Sequence, residues 1–324
     1  AICPPTLPTF AMPSCHTATK MMLAWQLVGL CLIHAVAEQD MCKAKGCSTR
    51  TSRDHLLLQV SKPTLLDVSR GNMALPAANE SDPQIYIKVM SYNLMGWSSF
   101  NANTWKGQNV LGKINALGPD ILGAQEVEMG GWGYQEVENL VSEATGLSFA
   151  GGSQFFRPQS LEVVETDWAK LVGGYWMSMV LYKHKGTGNH ILFYDSHWKH
   201  GHGMEQAKII SEKIQKDREK YGSPPTVLVG DTNQFCKGYE LEAIRYLTGR
   251  EGSSPVVFAD VHEEDKGRSF SDTNNPDCRV DFILASTGQW SVVQASIDRV
   301  GMGAWGAASD HAPLLAHLVP IFAD

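Results

Sequence analysis

Six stretches of this 324-residue chain place an acidic, amide or imidazole side chain at or just past an apolar run that reads as a strand. Asn93 follows Ile85–Tyr92, and Glu126 closes Asp120–Gln125. His197 ends Ile191–Ser196, while Asp231 and Asn233 follow Thr226–Val229. Asp281 interrupts Val280–Leu284, and Asp310 and His311 precede Ala312–Leu318. Strand ends are where rigid elements deliver side chains into a common cleft. The chemistry open to such a set is specific. Hard oxygen ligands such as Glu126, Asp310 and Asn93 suit Mg²⁺, with Mn²⁺ or Ca²⁺ as alternatives, and disfavour Zn²⁺. A cation of that kind neutralises charge on a phosphoryl oxygen. Asp231 can orient or deprotonate an attacking water whose position Asn233 fixes. A charged imidazole can hydrogen-bond a phosphate oxygen, and a carboxylate behind it favours the charged form. Asp281 and His311 could make that pair.

Each of these residues alone has an ordinary explanation. Asp or Asn after a strand is usually a turn former or a helix cap, and His311 alone reads as a satisfied core histidine. Asp281 is harder to dismiss, because a carboxylate inside an apolar strand is costly unless paired. The functional reading rests on the set. The cluster His197-Trp-Lys-His200-Gly-His202 is read as a loop forming a basic rim with Lys199. A zinc site is the weaker alternative there, since tetrahedral zinc usually wants Cys or more His. Lys213 to Lys220 reads as a solvated helix face. Trp97, Trp105, Trp132 and Trp168 could stack on bases or sugar, although burial is the commoner fate of Trp.

Periodicity supplies the elements that must hold this set. Val110, Ile114 and Leu117 stripe a helix that Asn103-Thr104 can cap and Gly118-Pro119 stops. Val137, Leu140, Val141 and Ala144 mark a second helix, closed by Gly146. Strands at Met177–Tyr182 and Ile191–Ser196 flank a turn at Gly186–Asn189. Ala207, Ile210 and Ile214 stripe a third helix, and Leu241, Ile244 and Leu247 a short fourth. Strands at Ser291–Ala295 and Ala312–Leu318 follow. Strands and helices interleave without strict alternation, which favours an α/β fold with mixed sheets.

Composition is that of a globular chain: 43% hydrophobic, 19% charged, with nine Trp. The net charge of −7, with no long basic run, argues against tight sequence-independent binding to nucleic acid. It leaves a nuclease open, because catalysis needs only local contacts and a metal. Lys20 precedes an apolar run from Met21 to Ala37, and Ala35-Val-Ala37 offers a small-residue cleavage site. Residues 1–37 therefore read as a secretory leader with upstream extension, too short to span a bilayer comfortably. No membrane span is expected after cleavage, and no protein partner is inferred. Residues 38–84 show no sustained period and read as a flexible pro-segment or linker. Residues 85–324 carry the folded domain. Beyond the leader remain Cys42, Cys47, Cys236 and Cys278, enough for two bridges in a secreted chain. Asn79-Glu-Ser81 is a glycosylation sequon.

Met90-Ser-Tyr-Asn-Leu94, Pro119-Asp-Ile-Leu-Gly-Ala-Gln-Glu126, Ser196-His197, Gly230-Asp-Thr-Asn233, Arg279-Val-Asp-Phe-Ile283 and Ser309-Asp-His-Ala-Pro313 resemble, in order, the motifs of the endonuclease/exonuclease/phosphatase superfamily. That group includes deoxyribonuclease I, apurinic endonucleases, neutral sphingomyelinases and inositol polyphosphate phosphatases. The resemblance covers residues 85–320. It implies a four-layer α/β sandwich, two packed mixed β-sheets flanked by helices, with the site at one rim. It implies that Glu126 is the principal metal ligand, aided by Asn93 and Asp310. Asp231 and Asn233 would position the nucleophilic water. His197 and His311 would contact phosphate, with Asp281 orienting His311. Two departures stand out. Thr232 replaces a usual Phe. Gly173-Gly-Tyr-Trp176 stands where family nucleases often carry a carboxylate supporting the first histidine, so the support of His197 falls to Asp195 or Tyr175. Resemblance to secreted deoxyribonucleases also implies a Cys236–Cys278 disulfide, worth about 2–4 kcal/mol. Cys42–Cys47 would be a second pairing, one that the short loop between them disfavours.

The resulting expectation is a secreted, divalent-metal-dependent phosphodiesterase acting on nucleic acid. A phospholipid or sugar-phosphate hydrolase of the same fold is the alternative. A catalytically dead binding protein is a third, which the complete set of metal and water-positioning residues opposes.

Overall fold

The computed structural model describes residues 86–95, 105–127, 134–233, 242–265, 269, 279–300 and 309–322. The leader, the linker, the sequon and all four cysteines of the two expected disulfides lie outside the described residues.

Among the described residues, twelve strands form two six-stranded sheets. The first contains β1 (Ile87–Asn93), β2 (Ile121–Gln125), β3 (Ser148–Gly151), β4 (Gln154–Phe156), β11 (Trp290–Ile297) and β12 (Leu314–Pro320), in the order β11-β12-β1-β2-β4-β3. The second contains β5 (Leu161–Lys170), β6 (Trp176–His184), β7 (His190–His197), β8 (Thr226–Asp231), β9 (Phe258–Asp260) and β10 (Asp281–Ser286), in the order β5-β6-β7-β8-β10-β9. Each sheet is mixed: β1 and β2 are parallel, as are β7 and β8, and the remaining pairs are antiparallel.

Strand alternation sorts side chains into three apolar layers. Ile87, Val89, Ile121, Phe193, Val227, Val229, Ile283 and Leu314 face inward and pack between the sheets. Met90, Tyr92, Leu122 and Ala124 face outward from the first sheet. They meet Val110, Leu111 and Ile114 of α1 (Trp105–Leu117) and Val137 and Val141 of α2 (Tyr134–Thr145). Leu192, Tyr194, Leu228 and Phe282 face outward from the second sheet. They meet Ala207, Ile210 and Ile214 of α3 (Gly203–Lys220) and Ala243 and Leu247 of α4 (Glu242–Leu247). The architecture is therefore helix, sheet, sheet, helix, the deoxyribonuclease I-like sandwich expected from the sequence. Helices α1 and α2 stop where Gly118 and Gly146 donate back to Ile114 and Ser142.

Four strands escape the sequence reading: β3, β4, β5 and β9. The first two and the last are only three or four residues long. β5 has ten residues but is an edge strand, exposed along most of its length, so it lacks the inward apolar alternation that marks a strand. Its charged face is held instead by α3, through Lys213 to Asp167 and Lys220 to Glu165, both at 2.8 Å. Lys213 also binds Asp217, so this helix face is ion-paired as well as solvated.

At Gly230 of β8 there is no room for a side chain against β7. The Gly230 φ is +153°, and an added Cβ would lie 2.0 Å from the backbone oxygen of Ser196. Gly230→Ala should therefore destabilise by about 3 kcal/mol or more, from strain and overpacking together. Chemical denaturation checks this; a loss below about 1 kcal/mol would mean the two strands can separate freely.

Candidate active site

The alternation that builds the core also builds the site. Along β1 the inner face reads Ile87, Val89, Ser91, Asn93; along β7 it reads Ile191, Phe193, Asp195, His197. Along β8 it reads Val227, Val229, Asp231, and β10 enters at Asp281 before Ile283 and Ala285. Each strand is apolar at one end and polar at the other. Register brings the polar ends together, since His197 lies opposite Asp231, and Asp231 opposite Asp281.

Strands β1 and β8 end in the same local device. Asn93 Oδ1 accepts from the backbone N–H of Met95 at 2.9 Å, and Asp231 Oδ1 accepts from that of Asn233 at 2.6 Å. Both are Asx-type turns, and Met95 and Asn233 take positive φ (52° and 51°). The turn fixes the Asn93 amide, so Nδ2 points at two carboxylates. It donates to Glu126 Oε1 at 3.1 Å and to Asp231 Oδ2 at 3.0 Å, linking the sheets. Glu126 itself, one residue past β2, has φ 62°. A left-handed glutamate is uncommon and persists only where its surroundings hold it.

His311 sits in a buried ion pair. Its Nδ1 donates to Asp281 at 2.9 Å, which leaves Nε2 aimed at Asp231 Oδ2, 3.8 Å away, with Asp310 Oδ1 at 4.0 Å. Burial opposes the imidazolium, but Asp281, Asp231 and Asp310 outweigh it and push His311 up to about 10. Burial raises the carboxyl of Asp281 as well. Both directions keep a proton in the pair at neutral pH. His197 Nε2 also lies 3.8 Å from Asp231 Oδ2 and accepts from Asn233 Nδ2 at 2.8 Å. The edge of Tyr175 packs on its ring, with centroids 5.4 Å apart. Of the two supports expected for His197, Tyr175 is thus in contact, while the oxygens of Asp195 accept from Gln125 and Ser153.

The chemistry of the donor set fits a divalent cation at Glu126. Its Oε2 is buried and has no hydrogen-bond partner among the described residues. Burial, with Asp231 and Asp310 adding to it against the Asn93 hydrogen bond and the His311 charge, raises its carboxyl to about 7. A buried carboxylate oxygen lacking a donor, among further carboxylates, is a position that a cation satisfies. Asp231, Asp281 and His311 also bring three ligand atoms within 4.8 Å of one another. There, however, Asp281 and His311 already satisfy each other as an ion pair, which leaves Glu126 and Asp310 the better cradle; Asn93, expected as a third ligand, presents Nδ2 and so orients Glu126 instead. His200 and His202 take no part in that group, and His202 pairs with Glu205 at 3.1 Å.

The raised pKa has a measurable consequence. Between about 4.5 and about 7, Glu126 holds a proton in the folded chain and not in the unfolded one. The metal-free protein should therefore lose stability as pH rises through that window. Added Mg²⁺ should raise the melting temperature more at pH 8 than at pH 5, because the cation competes with that proton. Calorimetry in chelator and in excess Mg²⁺ checks both, and a pH-independent Mg²⁺ increment would refute the assignment of Glu126 as ligand.

Sequence reading missed Ser269. Its hydroxyl accepts from the backbone N–H of Val280 and Asp281, both at 3.1 Å, and its carbonyl accepts from Ala312 at 2.7 Å. It joins the two segments that carry Asp281 and His311. Nothing in the local sequence flags a serine whose partners are this distant. Ser309 does the same for β1, donating to the Asn93 carbonyl at 2.7 Å.

The two packed mixed sheets thus bring acidic and imidazole groups together at one rim. The chain belongs to the endonuclease/exonuclease/phosphatase family, whose family model matches residues 98–311. Solved structures share the fold at low identity. The human Nocturnin catalytic domain with bound sulfate is 17% identical, with 73% of this chain and 94% of that one covered and a TM-score of 0.56. The D. rerio TDP2 complex with a single-strand DNA product is 16% identical, with 72% and 98% covered and a TM-score of 0.56. The Bacteroides thetaiotaomicron mannosyl-6-phosphatase is 20% identical, with 73% and 100% covered and a TM-score of 0.54. A comparison with curated protein sequences finds no match. No helix among the described residues is long and apolar enough to cross a membrane.

Proposed function

We propose that the protein is a divalent-metal-dependent phosphodiesterase that cleaves nucleic acid by in-line attack of water. The observation that carries this reading is the setting of Asp231. Its carboxylate is anchored by Asn93 and the Asn233 backbone, and the Nε2 atoms of both histidines stand 3.8 Å from Oδ2. That separation is longer than a hydrogen bond, so the base faces two imidazoles without bonding directly to either Nε2. Asp231 takes the proton of the attacking water, and Asn233 holds that water and the His197 ring. His311, kept charged by Asp281, donates through Nε2 to a phosphoryl oxygen. Glu126 and Asp310 would hold the cation, with Asn93 orienting Glu126, and the cation would neutralise charge developing on the phosphoryl group.

Nucleic acid is favoured by the surface beside His197. Trp168 and Trp176 are about half exposed, and their positions with Lys170 fall on one face of the β5–β6 hairpin, immediately after Tyr175. Flat aromatic rings next to a cation suit a nucleobase linked to phosphate. Trp168 thus departs from the burial usual for Trp. A sugar-phosphate substrate is the second reading, favoured by the fold shared with the mannosyl-6-phosphatase. The leader at 1–37 supports secretion, which N-terminal sequencing of culture medium and cell fractions tests. The functional test is a panel of single-stranded and duplex DNA, RNA, sphingomyelin, inositol phosphates and a generic phosphodiester, with Mg²⁺, Mn²⁺ or Ca²⁺ and with chelator. Nucleic acid is expected to turn over fastest and chelation to stop it. Metal-insensitive turnover, or none on any phosphoester, would overturn the proposal.

A further inference from the structure

One layer below the rim, the two sheets meet through polar groups where apolar ones would be expected. Asp195 of β7 is buried on the inner face of the second sheet. Its Oδ1 accepts from Gln125 Nε2 of β2, in the first sheet, at 2.6 Å, and its Oδ2 accepts from Ser153 Oγ of the β3–β4 turn at 2.6 Å. Gln125 Nε2 also reaches the Gly123 carbonyl at 3.2 Å and Ser91 Oγ of β1 at 3.4 Å. Gly123 provides the space: a Cβ there would stand 2.9 Å from Asp195 Oδ1 and 2.4 Å from Val229 Cγ2.

Stability alone does not account for this cluster. Its neighbours on the same inner faces are Ile121, Phe193 and Val229, and an apolar layer there would cost no desolvation. Gln125 Oε1 is buried and without a hydrogen-bond partner among the described residues, a further cost. Position does account for it. Gln125 directly precedes Glu126, whose left-handed backbone must be held. Asp195 stands two residues before His197 on the same face, and Ser91 two before Asn93. The cluster ties the strands carrying Asn93, Glu126 and His197 one step beneath the side chains themselves. Apolar contact is non-directional and tolerates sliding, whereas two short hydrogen bonds to one carboxylate fix a register.

We propose that Gln125, Asp195 and Ser153 form an inter-sheet clamp that positions the halves of the site, Asn93 and Glu126 on the first sheet against His197 and Asp231 on the second. The inference rests on the phosphoesterase reading of that site. At the rim the cross-sheet link is Asn93 to Asp231, made by groups that engage water, cation and phosphate in turnover. The clamp holds the spacing independently of them. These are positioning residues, acting through the ones that touch substrate.

The test compares wild type, Asp195→Asn, Asp195→Leu and the double variant Gln125→Leu/Asp195→Leu in the full chain. Three quantities are read: melting temperature, kcat and KM on the best substrate, and affinity for Mn²⁺ alone by electron paramagnetic resonance. Asp195→Leu strands the Gln125 amide and should melt lowest. The double variant removes both partners and should recover melting towards wild type, yet keep about 10- to 100-fold weaker Mn²⁺ binding and lower kcat, as loss of groups that orient ligands does. KM should move less than about threefold, since substrate contacts remain. Asp195→Asn keeps the acceptor for Gln125, and the Ser153 hydroxyl can accept from the new amide in place of donating, so kcat and Mn²⁺ affinity should stay within about threefold of wild type. Recovery of kcat and Mn²⁺ affinity together with melting in the double variant would reduce the clamp to packing and overturn the proposal. If the double variant fails to fold, Ser153→Ala reads the same quantities, and unchanged Mn²⁺ affinity and kcat there overturn it equally. A wild type that binds Mn²⁺ but hydrolyses no phosphoester would sink the functional reading, while the Mn²⁺ arm still decides the clamp.

Discussion

Asp231→Asn should lower kcat by about 10²- to 10⁴-fold, the range a positioned general base contributes, and should also lower the melting temperature. The stability half follows from two lost contacts. The Asn233 turn survives, because an amide oxygen can accept the 2.6 Å backbone hydrogen bond as a carboxylate does. The amide nitrogen then faces Asn93 Nδ2, a donor against a donor where Oδ2 accepted at 3.0 Å, and one of the charges that hold His311 protonated is gone. The rate half follows from proton affinity, since an amide cannot take a proton from water. Titrating the variant with Mg²⁺ separates two roles. A base cannot be replaced by metal, so saturating Mg²⁺ should leave the deficit in place. Rescue of kcat at high Mg²⁺ would make Asp231 a ligand, which its proximity to Asp281 and His311 also permits geometrically.

How much of this was legible in the sequence depends on whether a signal was local. The strand-end residues could be found because each ends an apolar run, and alternation then carries Asn93, His197, Asp231 and Asp281 to the inner faces without further information. Asp281 announced itself by sitting in such a run, and the structure shows His311 as the partner that this position demanded. What stayed hidden is what depends on two distant elements meeting. Ser269 and Ser153 are ordinary loop serines until β10 and β7 are placed beside them. Asp195 was legible only as one of two candidate supports for His197. In the fold its carboxylate also reaches across to the other sheet, to a glutamine that nothing local distinguishes from any other residue before a strand-end glutamate. β5 was invisible for the converse reason: its strand character comes from pairing with β6 rather than from burial of its own.

The second large effect is expected at the pair behind the site. His311→Ala should lower kcat by about 10²- to 10³-fold, the cost of losing one preorganised donor to a developing charge. Asp281→Asn is more informative, because it leaves the imidazole in place and removes the charge that most strongly holds its proton. In the folded wild type His311 stays protonated to about pH 10, against an ordinary value of 6.5. Below 6.5 the ion pair contributes fully to stability, and its contribution is lost as pH rises towards 10. The metal-free wild type should therefore show a falling melting temperature across that window, and Asp281→Asn should flatten the fall. The same substitution should bring the alkaline limb of kcat/KM to lower pH, since the neutral imidazole then appears sooner. A bound cation near His311 lowers its proton affinity in both proteins, so the argument rests on their difference, which the cation leaves standing. Coincident alkaline limbs, with kcat reduced equally at every pH, would mean that Asp281 fixes the ring's orientation and not its charge.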